Sequence, residues 1–377
     1  MKTTRPIHIL NMLKKCWSSK FVLPLLILSS VTQGNGRQIT KQKHSNNSIP
    51  AAFVFGDSTV DPGNNNYVNT IFRSNFPPYG LDFPHQTPTG RFTDGRLTTD
   101  FIASYAGIKQ SIPAYLDPNL TVEDLMTGVS FASAGSGYDP MTAQRIGVID
   151  LAKQLEYFRQ YKTRLETKLG WKRTAHIINN GVFVVSAGTN DVVDVFGITP
   201  PPLQSQTPAT YLDFLLKQFK WFMQALQEQG ATRIAVVGLP PAGCLPLVMT
   251  FHLSLTEPRS CIDSLSSIAK DFNQMLQDEI KLIQRSKPSI MAAYADIYEP
   301  LLDQIKNPRK YGFEVVDEGC CGTGLIEGAI TCNAFTPVCS HPSKYVFWDV
   351  IHPTQTSYYF LFQSVRPVVD YFLHKLT

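Results

Sequence analysis

The chain is read as an α/β protein with a parallel sheet covered by helices, on three observations. Five short apolar runs recur along it, amphipathic stretches of helical period separate them, and small or polar turns follow the first three runs. Short runs of continuous apolarity suit strands buried on both faces. Their alternation with helical patterns predicts strand–crossover–strand units and hence a mostly five-stranded parallel sheet.

The strand candidates are residues 51–55, 128–132, 182–186, 234–237 and 290–294, all mostly apolar or small. Helical patterns occupy 97–105, 149–168, 209–229, 261–285 and 354–373. No Gly/Ser linker, low-complexity tract or internal repeat interrupts them, so residues 37–377 are expected to form one elaborated domain.

The first 36 residues read differently. Lys2, Arg5, Lys14, Lys15 and Lys20 precede the apolar stretch 21–28, and Ser29, Ser30 and Gly34 follow it, the pattern of a secretory signal peptide. That stretch is shorter than the roughly 20 residues that cross a bilayer, so a soluble secreted protein is expected. The whole chain carries 34 Lys and Arg against 30 Asp and Glu; loss of residues 1–36 leaves 29 basic residues, so the basicity belongs largely to the leader. Without a concentrated basic run in what remains, nucleic-acid binding has little electrostatic support.

Cysteine usage agrees with export. Cys16 lies in the leader, and the other six, Cys244, Cys261, Cys320, Cys321, Cys332 and Cys339, form an even set suited to three disulfides in an oxidising compartment. A zinc site built from the last four lacks the usual Cys-x2-Cys spacing. Asn46 and Asn119 each begin an Asn-x-Ser/Thr tripeptide and are candidate glycan acceptors.

The chemistry is sought at strand ends, because ligands of open parallel sheets bind beyond the carboxyl ends of the strands. Ser58 follows the first strand in Gly56-Asp57-Ser58, Gly135 follows the second, and Asn190 follows the third in Gly188-Thr189-Asn190-Asp191. Near the other terminus, Asp349 and His352 supply a carboxylate and an imidazole three residues apart. A serine hydroxyl is a poor nucleophile at neutral pH and needs an imidazole base oriented by a carboxylate, so Ser58, His352 and Asp349 propose a hydrolase. The Asn190 amide, the Gly135 N–H and the Ser58 N–H are candidate oxyanion donors. Gly137 is the alternative glycine. Asp57 and Asp191 adjoin these residues and are expected to brace their loops.

At these motifs the chain resembles the plant GDSL esterase/lipases of the SGNH hydrolase superfamily. The resemblance rests on Phe55-Gly56-Asp57-Ser58, Asp61-Pro62-Gly63-Asn64-Asn65, Pro77-Pro78-Tyr79-Gly80, Pro88-Thr89-Gly90-Arg91-Phe92, Gly188-Thr189-Asn190-Asp191, Phe347-Trp348-Asp349 and His352-Pro353-Thr354. It implies a three-layer α/β/α flavodoxin-like fold, the catalytic set Ser58, Asp349 and His352, and Gly135 with Asn190 in the oxyanion hole. It also implies carboxylic ester hydrolysis without metal or organic cofactor, on small-molecule or lipid acyl esters, outside the cell in the wall or apoplast. Ser130 departs from the pattern, standing where relatives commonly have Asn. Acyl transfer through the same acyl-enzyme and a non-catalytic binding protein on the same fold are the alternatives.

Two finer expectations concern the shape of the site. The Gly-x-Ser-x-Gly elbow is absent, because Val60 follows Thr59 where a second glycine would stand, which favours a serine on an open, solvent-exposed loop. The segment 76–92 and the residues after Asn190, including Val192, Val193, Val195, Phe196 and Pro200 to Pro202, either border an acyl groove or pin long loops to the body.

Overall fold

Strand β1 (Ala52–Gly56) is the pivot of a four-stranded parallel sheet that continues through β2 (Val182–Ser186), β3 (Arg233–Val237) and β4 (Met291–Ala295) in that order. The structure, a computed structural model, describes residues 49–200, 206–253, 258–323 and 332–374; the predicted leader 1–36, Cys16, Asn46, Pro201 and Pro202 lie outside them. Contacts gather His44–Thr377 into one unit.

Register explains the two-sided burial. Phe53 pairs with Phe183 and Phe55 with Val185, while Ala52 pairs with Val182 and Val54 with Val184. Because side chains alternate across a strand, the first set faces one core and the second set the other. Phe53, Phe55, Phe183 and Val185 pack with helices α2 (Leu151–Leu169), α3 (Trp171–Asn180), α4 (Pro208–Glu228) and α5 (Asp263–Ser286). Ala52, Val54, Val182 and Val184 pack instead with Ala103 of α1 (Thr98–Tyr105) and Phe372 of α6 (Gln355–His374). Helices on both faces make the three layers.

The aromatic side is the heavier. Phe53 meets Phe158 edge-on at 5.5 Å and Phe55 stacks on Phe131 at 5.0 Å. Each such ring contributes roughly 1.5–3 kcal/mol by leaving water, with about 0.5–1.5 kcal/mol more for each favourable pair. The helices start where the sequence supplies caps. Asp150 accepts from Lys153 N at 2.8 Å at the head of α2, and Thr207 caps α4, whose first residue is Pro208.

The sheet has four strands where five were expected. Segment 128–132 does run parallel to β1 on its outer side, with Val54 N donating to Val129 O and Phe131 N to Val54 O, but it makes only one complete bridge there, through Ser130. Each flanking rung keeps one bond, Ala52 N to Thr127 O at 3.2 Å and Ser133 N to Gly56 O at 2.9 Å, and lacks the other. At one end Gly128 is left-handed at φ 92°, and at the other Gly56 N is drawn off to Gln154 Oε1 at 2.9 Å, a side-chain acceptor that competes with the ladder. The topology survives the loss: the chain leaves β1 to one side for 128–132 and returns to its other side at β2. The crevice beyond the β1 and β2 carboxyl ends is therefore a switch point.

A smaller parallel pair, β5 (Val315–Gly319) with β6 (Tyr345–Phe347), carries the C-terminal motif. Cys320 N donates to Phe347 O and Cys321 N to Trp348 O, so the chain entering Asp349 is pinned on one side by backbone bonds. Disulfides Cys320–Cys339 and Cys321–Cys332 tie the same corner, and Cys244–Cys261 joins the turn after β3 to the approach of α5. All six predicted cysteines are thus paired.

Gly56 sits at φ 136°, and a Cβ placed on it would lie 1.7 Å from Ser186 O. Gly56→Ala therefore has to push β1 and β2 apart. We expect it to lower the stability in urea by about 3 kcal/mol, the upper end of overpacking costs; an unfolding midpoint equal to wild type would contradict this register.

Candidate active site

Immediately beyond β1 the backbone is fastened to β2, with Asp57 N donating to Ser186 O at 2.9 Å. The Asp57 carboxylate accepts from Thr59 N at 3.0 Å and Thr59 Oγ1 at 2.7 Å, the bracing expected of it, and so curls the loop around Ser58. Ser58 is only 6% exposed, which overturns the expectation of an open, solvent-exposed loop. The reason lies in the residues that follow.

Asp61, Asn64 and Asn65 turn inward. Asp61 accepts from Gly63 N and Asn64 N through Oδ1 and from Ala134 N through Oδ2, at 2.7–2.9 Å. Asn64 donates to Ser130 O and Ala132 O, and Asn65 donates to Phe72 O and Ala134 O. Buried backbone groups need partners, and here the side chains after Ser58 supply them to the segment before Gly135. The serine loop and the glycine loop are one hydrogen-bonded body.

Gly135 has φ 86°, a conformation that favours glycine, and an added Cβ would lie 2.3 Å from Ile146 Cδ1. Gly137 stands elsewhere, against the Asp191 carboxylate. Asn190 lies in a short helix, Thr189–Val192, just after β2, and its Nδ2 donates to Ser136 O at 2.8 Å. One amide hydrogen is thereby used to aim the group, and the second remains for a ligand. Asp191 accepts from Tyr138 N at 2.7 Å and Thr142 Oγ1 at 2.6 Å, tying this helix to the loop after Gly135.

From the other terminus come Asp349 and His352. Asp349 Oδ1 accepts Ile351 N at 2.9 Å and His352 N at 2.8 Å, and His352 Nδ1 lies 2.8 Å from both carboxylate oxygens. Burial alone would push the Asp349 carboxyl up, but the His352 ring and the N–H groups bonded to it outweigh burial and hold it below the usual carboxylate range. The Tyr79 hydroxyl donates to Asp349 Oδ2 at 2.8 Å. On the far side of the ring, His352 Nε2 is buried with no hydrogen-bond partner among the described residues.

These pieces meet. Ser58, Gly135, Asn190, Asp349 and His352 all line one cavity of about 200 Å³. Ser58 Oγ and His352 Nε2 share it without a direct hydrogen bond between them; in unliganded sites such bonds are often long and close only around substrate. Phe72, Phe92, Ile146, Val193, Ile198 and Leu247 supply apolar walls, and Arg145 and Asp194 form an ion pair at the rim, 2.8 Å apart and partly exposed. Of the residues expected either to border a groove or to pin loops, Tyr79, Phe92 and Val193 line the cavity, and Val193 packs with Phe196 in the main core as well. A second, apolar cavity of about 90 Å³ lies between the sheet and α6 and includes none of the five. Asn119 is exposed, with its side chain bonded to Asp117. Among the described residues no group of three or more His, Cys, Asp or Glu is arranged to hold a metal ion.

Residues 53–365 match the family model described as GDSL-like lipase/acylhydrolase. The chain belongs to that family. A GDSL esterase/lipase of Arabidopsis thaliana is 50% identical over 333 residues, covering 88% of each chain. Another from the same plant is 47% identical over 317 residues, covering 82% of this chain and 87% of the relative. An extracellular lipase from Streptomyces rimosus, solved by crystallography, covers 84% of this chain and 99% of its own at 14% identity and a TM-score of 0.38, a likeness too loose to carry detail.

The family motifs accounted for the five predicted residues but left the Asp61–Asn65 clamp and the Tyr79 hydroxyl unread. A run of three Asx side chains within five positions was the available signal for the clamp. Gln154 also escaped, although a Gln inside the apolar stripe Leu151, Leu155, Phe158 marks a buried hydrogen-bonding task.

Burial raises the Asp57 carboxyl to about 6 from the usual 3.8, and its Oδ2 has no partner among the described residues. The folded protein therefore holds this proton more tightly than the unfolded chain does, and the stability due to this group falls as pH rises from about 4 through 6. Asp57→Asn keeps an oxygen for Thr59 and carries no charge. Its urea midpoint is expected to gain on wild type as pH climbs through that window; a gap that is flat or narrows with pH would contradict the assignment.

Proposed function

We propose that this protein is a secreted serine esterase that hydrolyses carboxylic acyl esters through a Ser58–His352–Asp349 acyl-enzyme cycle. The observation that carries the proposal is the state of His352: its Nδ1 is bound to a buried carboxylate, and its unpartnered Nε2 shares a cavity with Ser58. An imidazole held in this tautomer has one free lone pair, which is what a general base for a serine hydroxyl requires.

His352 Nε2 takes the Ser58 proton as Oγ bonds to the ester carbonyl carbon. The carbonyl π electrons move to its oxygen, where the N–H groups of Gly135 and Ser58 and the Asn190 amide receive the charge. Collapse expels the alkoxide, which takes the proton from His352 and leaves the acyl group on Ser58. Water then repeats the sequence, giving up its proton to His352 and releasing the acid and the free serine. Asp349 keeps its charge throughout and stabilises the imidazolium.

The apolar walls suit an acyl chain, and the polar groups cluster where the ester carbonyl would lie. The predicted leader and the three disulfides support export to the wall or apoplast, where such bonds persist. No helix among the described residues is long and apolar enough to cross a membrane.

Hydrolysis of p-nitrophenyl esters by Ser58→Ala and by His352→Ala is expected to fall about 10⁴-fold or more in kcat, each to a similar residual rate, because the pair acts as a unit. Wild-type turnover by Ser58→Ala would end the proposal.

A further inference from the structure

Tyr79 belongs to a loop that the catalytic cycle above does not use, yet its hydroxyl reaches the carboxylate of the C-terminal motif across 270 positions of sequence. The side chain is 6% exposed, and its ring packs edge-on against Phe76, Phe92 and Trp348 at 5.6–6.3 Å. Gly80 N donates to Thr93 O at 3.0 Å and fixes the backbone beside it. This is a built position, in which packing sets the ring and the ring aims one O–H.

The two oxygens of Asp349 are served unequally. Oδ1 receives the N–H groups of Ile351 and His352, which belong to the same turn as the aspartate itself. Oδ2 has no such local donor; besides the His352 ring, Tyr79 is its partner among the described residues. Local backbone bonds hold one end of the carboxylate, and a distant side chain holds the other.

We propose that Tyr79 is a positioning residue of the esterase, whose hydroxyl fixes the carboxylate plane of Asp349 and thereby sets the orientation and basicity of His352. The inference rests on the reading of Asp349 and His352 as catalytic. Two consequences pull apart. The O–H draws charge from Oδ2, so its removal leaves the carboxylate more negative toward the ring, stabilises imidazolium and raises the pH at which His352 loses its proton. At the same time Oδ2 loses its external anchor, so the ring is held less firmly in line with Ser58 and the chemical step slows. Burial, reinforced by Asp349, keeps the phenol well above its ordinary titration range, so it stays a donor throughout the working pH.

Tyr79→Phe in the full chain keeps the ring and deletes the O–H. With p-nitrophenyl butyrate we expect kcat to fall roughly tenfold, the worth of one hydrogen bond to a charged group, with KM unchanged. The acid limb of kcat/KM is expected to move to higher pH by about half a unit or more. Asp57 and Tyr358, the other ionisable groups whose fields reach this pair, are untouched by the substitution. A purely structural role would lower activity without moving the limb. Replacing Tyr79 by 3-fluorotyrosine, a stronger donor of nearly the same shape, is expected to move the limb the other way, and serves if the Phe variant folds poorly.

In an Asp349→Ala background, Tyr79→Phe is expected to change the residual rate less than twofold, because its effect travels through the carboxylate. Wild-type kcat and pH profile in Tyr79→Phe, beside an Asp349→Ala variant that has lost about 10⁴-fold, would overturn this proposal alone. An equal loss from Tyr79→Phe in both backgrounds would overturn it as well. Full activity in Asp349→Ala would instead overturn the catalytic reading on which it rests.

Discussion

Everything at the amino-terminal half of the site depends on the close approach of Gly56 to β2. Its carbonyl oxygen accepts from Ser133 N, Ser136 Oγ and Gln154 Nε2 at 2.8–2.9 Å, and its N–H donates to the same glutamine. One residue without a side chain thus joins β1, the loop that presents Gly135 and the first turn of α2, while lying against the carbonyl of Ser186. No side chain fits there. Ser58 two residues later and Asn190 four residues after Ser186 are held near each other by this contact, by the bond from Asp57 N to Ser186 O and by that between the Thr59 and Ser186 hydroxyls.

The carboxyl-terminal half is built by a different device. β5 and β6, the two disulfides beside them and the buried Trp348 form a stiff corner from which Asp349 and His352 project. The two halves meet through side chains more than 250 residues apart in sequence: Tyr79 reaches Asp349, Thr93 Oγ1 reaches Pro353 O, and the amide N–H of Gln355 reaches Asp94. Bonds of this kind are worth little each in water, but once buried they are expensive to leave unmade. A satisfied network therefore specifies one arrangement and penalises displacement of any member. Burial raises Asp57 and Asp61 to about 6 and Asp191 to about 7, so the price of this rigidity is a set of carboxylates that would be more stable uncharged.

Much of this was legible in the sequence. Apolar runs gave β1 to β4 to within about a residue, and strand ends gave Ser58, Gly135 and Asn190, because strand period and crevice position follow from local pattern and topology. Segment 128–132 misled because its sequence is strand-like; what leaves its flanking rungs half made is the left-handed turn at Gly128 and the diversion of the Gly56 N–H to Gln154, a partner some twenty residues on. The burial of Ser58 was illegible for the same reason. Asp61, Asn64 and Asn65 read as an open turn, and only the fold shows that their partners lie near residues 130–134 and not in solvent. Tyr79 read as one aromatic among several in a proline-rich loop, since nothing local distinguishes a hydroxyl aimed at a carboxylate 270 residues away.

The central claim is that the two halves assemble one reacting centre, and the most direct measurement is a crystal structure of the covalent adduct formed with an alkyl phosphonate. The account predicts a bond from Ser58 Oγ to phosphorus, with the phosphonyl oxygen about 3 Å from Gly135 N and Asn190 Nδ2 and His352 Nε2 hydrogen-bonded at the centre. An adduct on another residue, or a phosphonyl oxygen turned away from both donors, would contradict it.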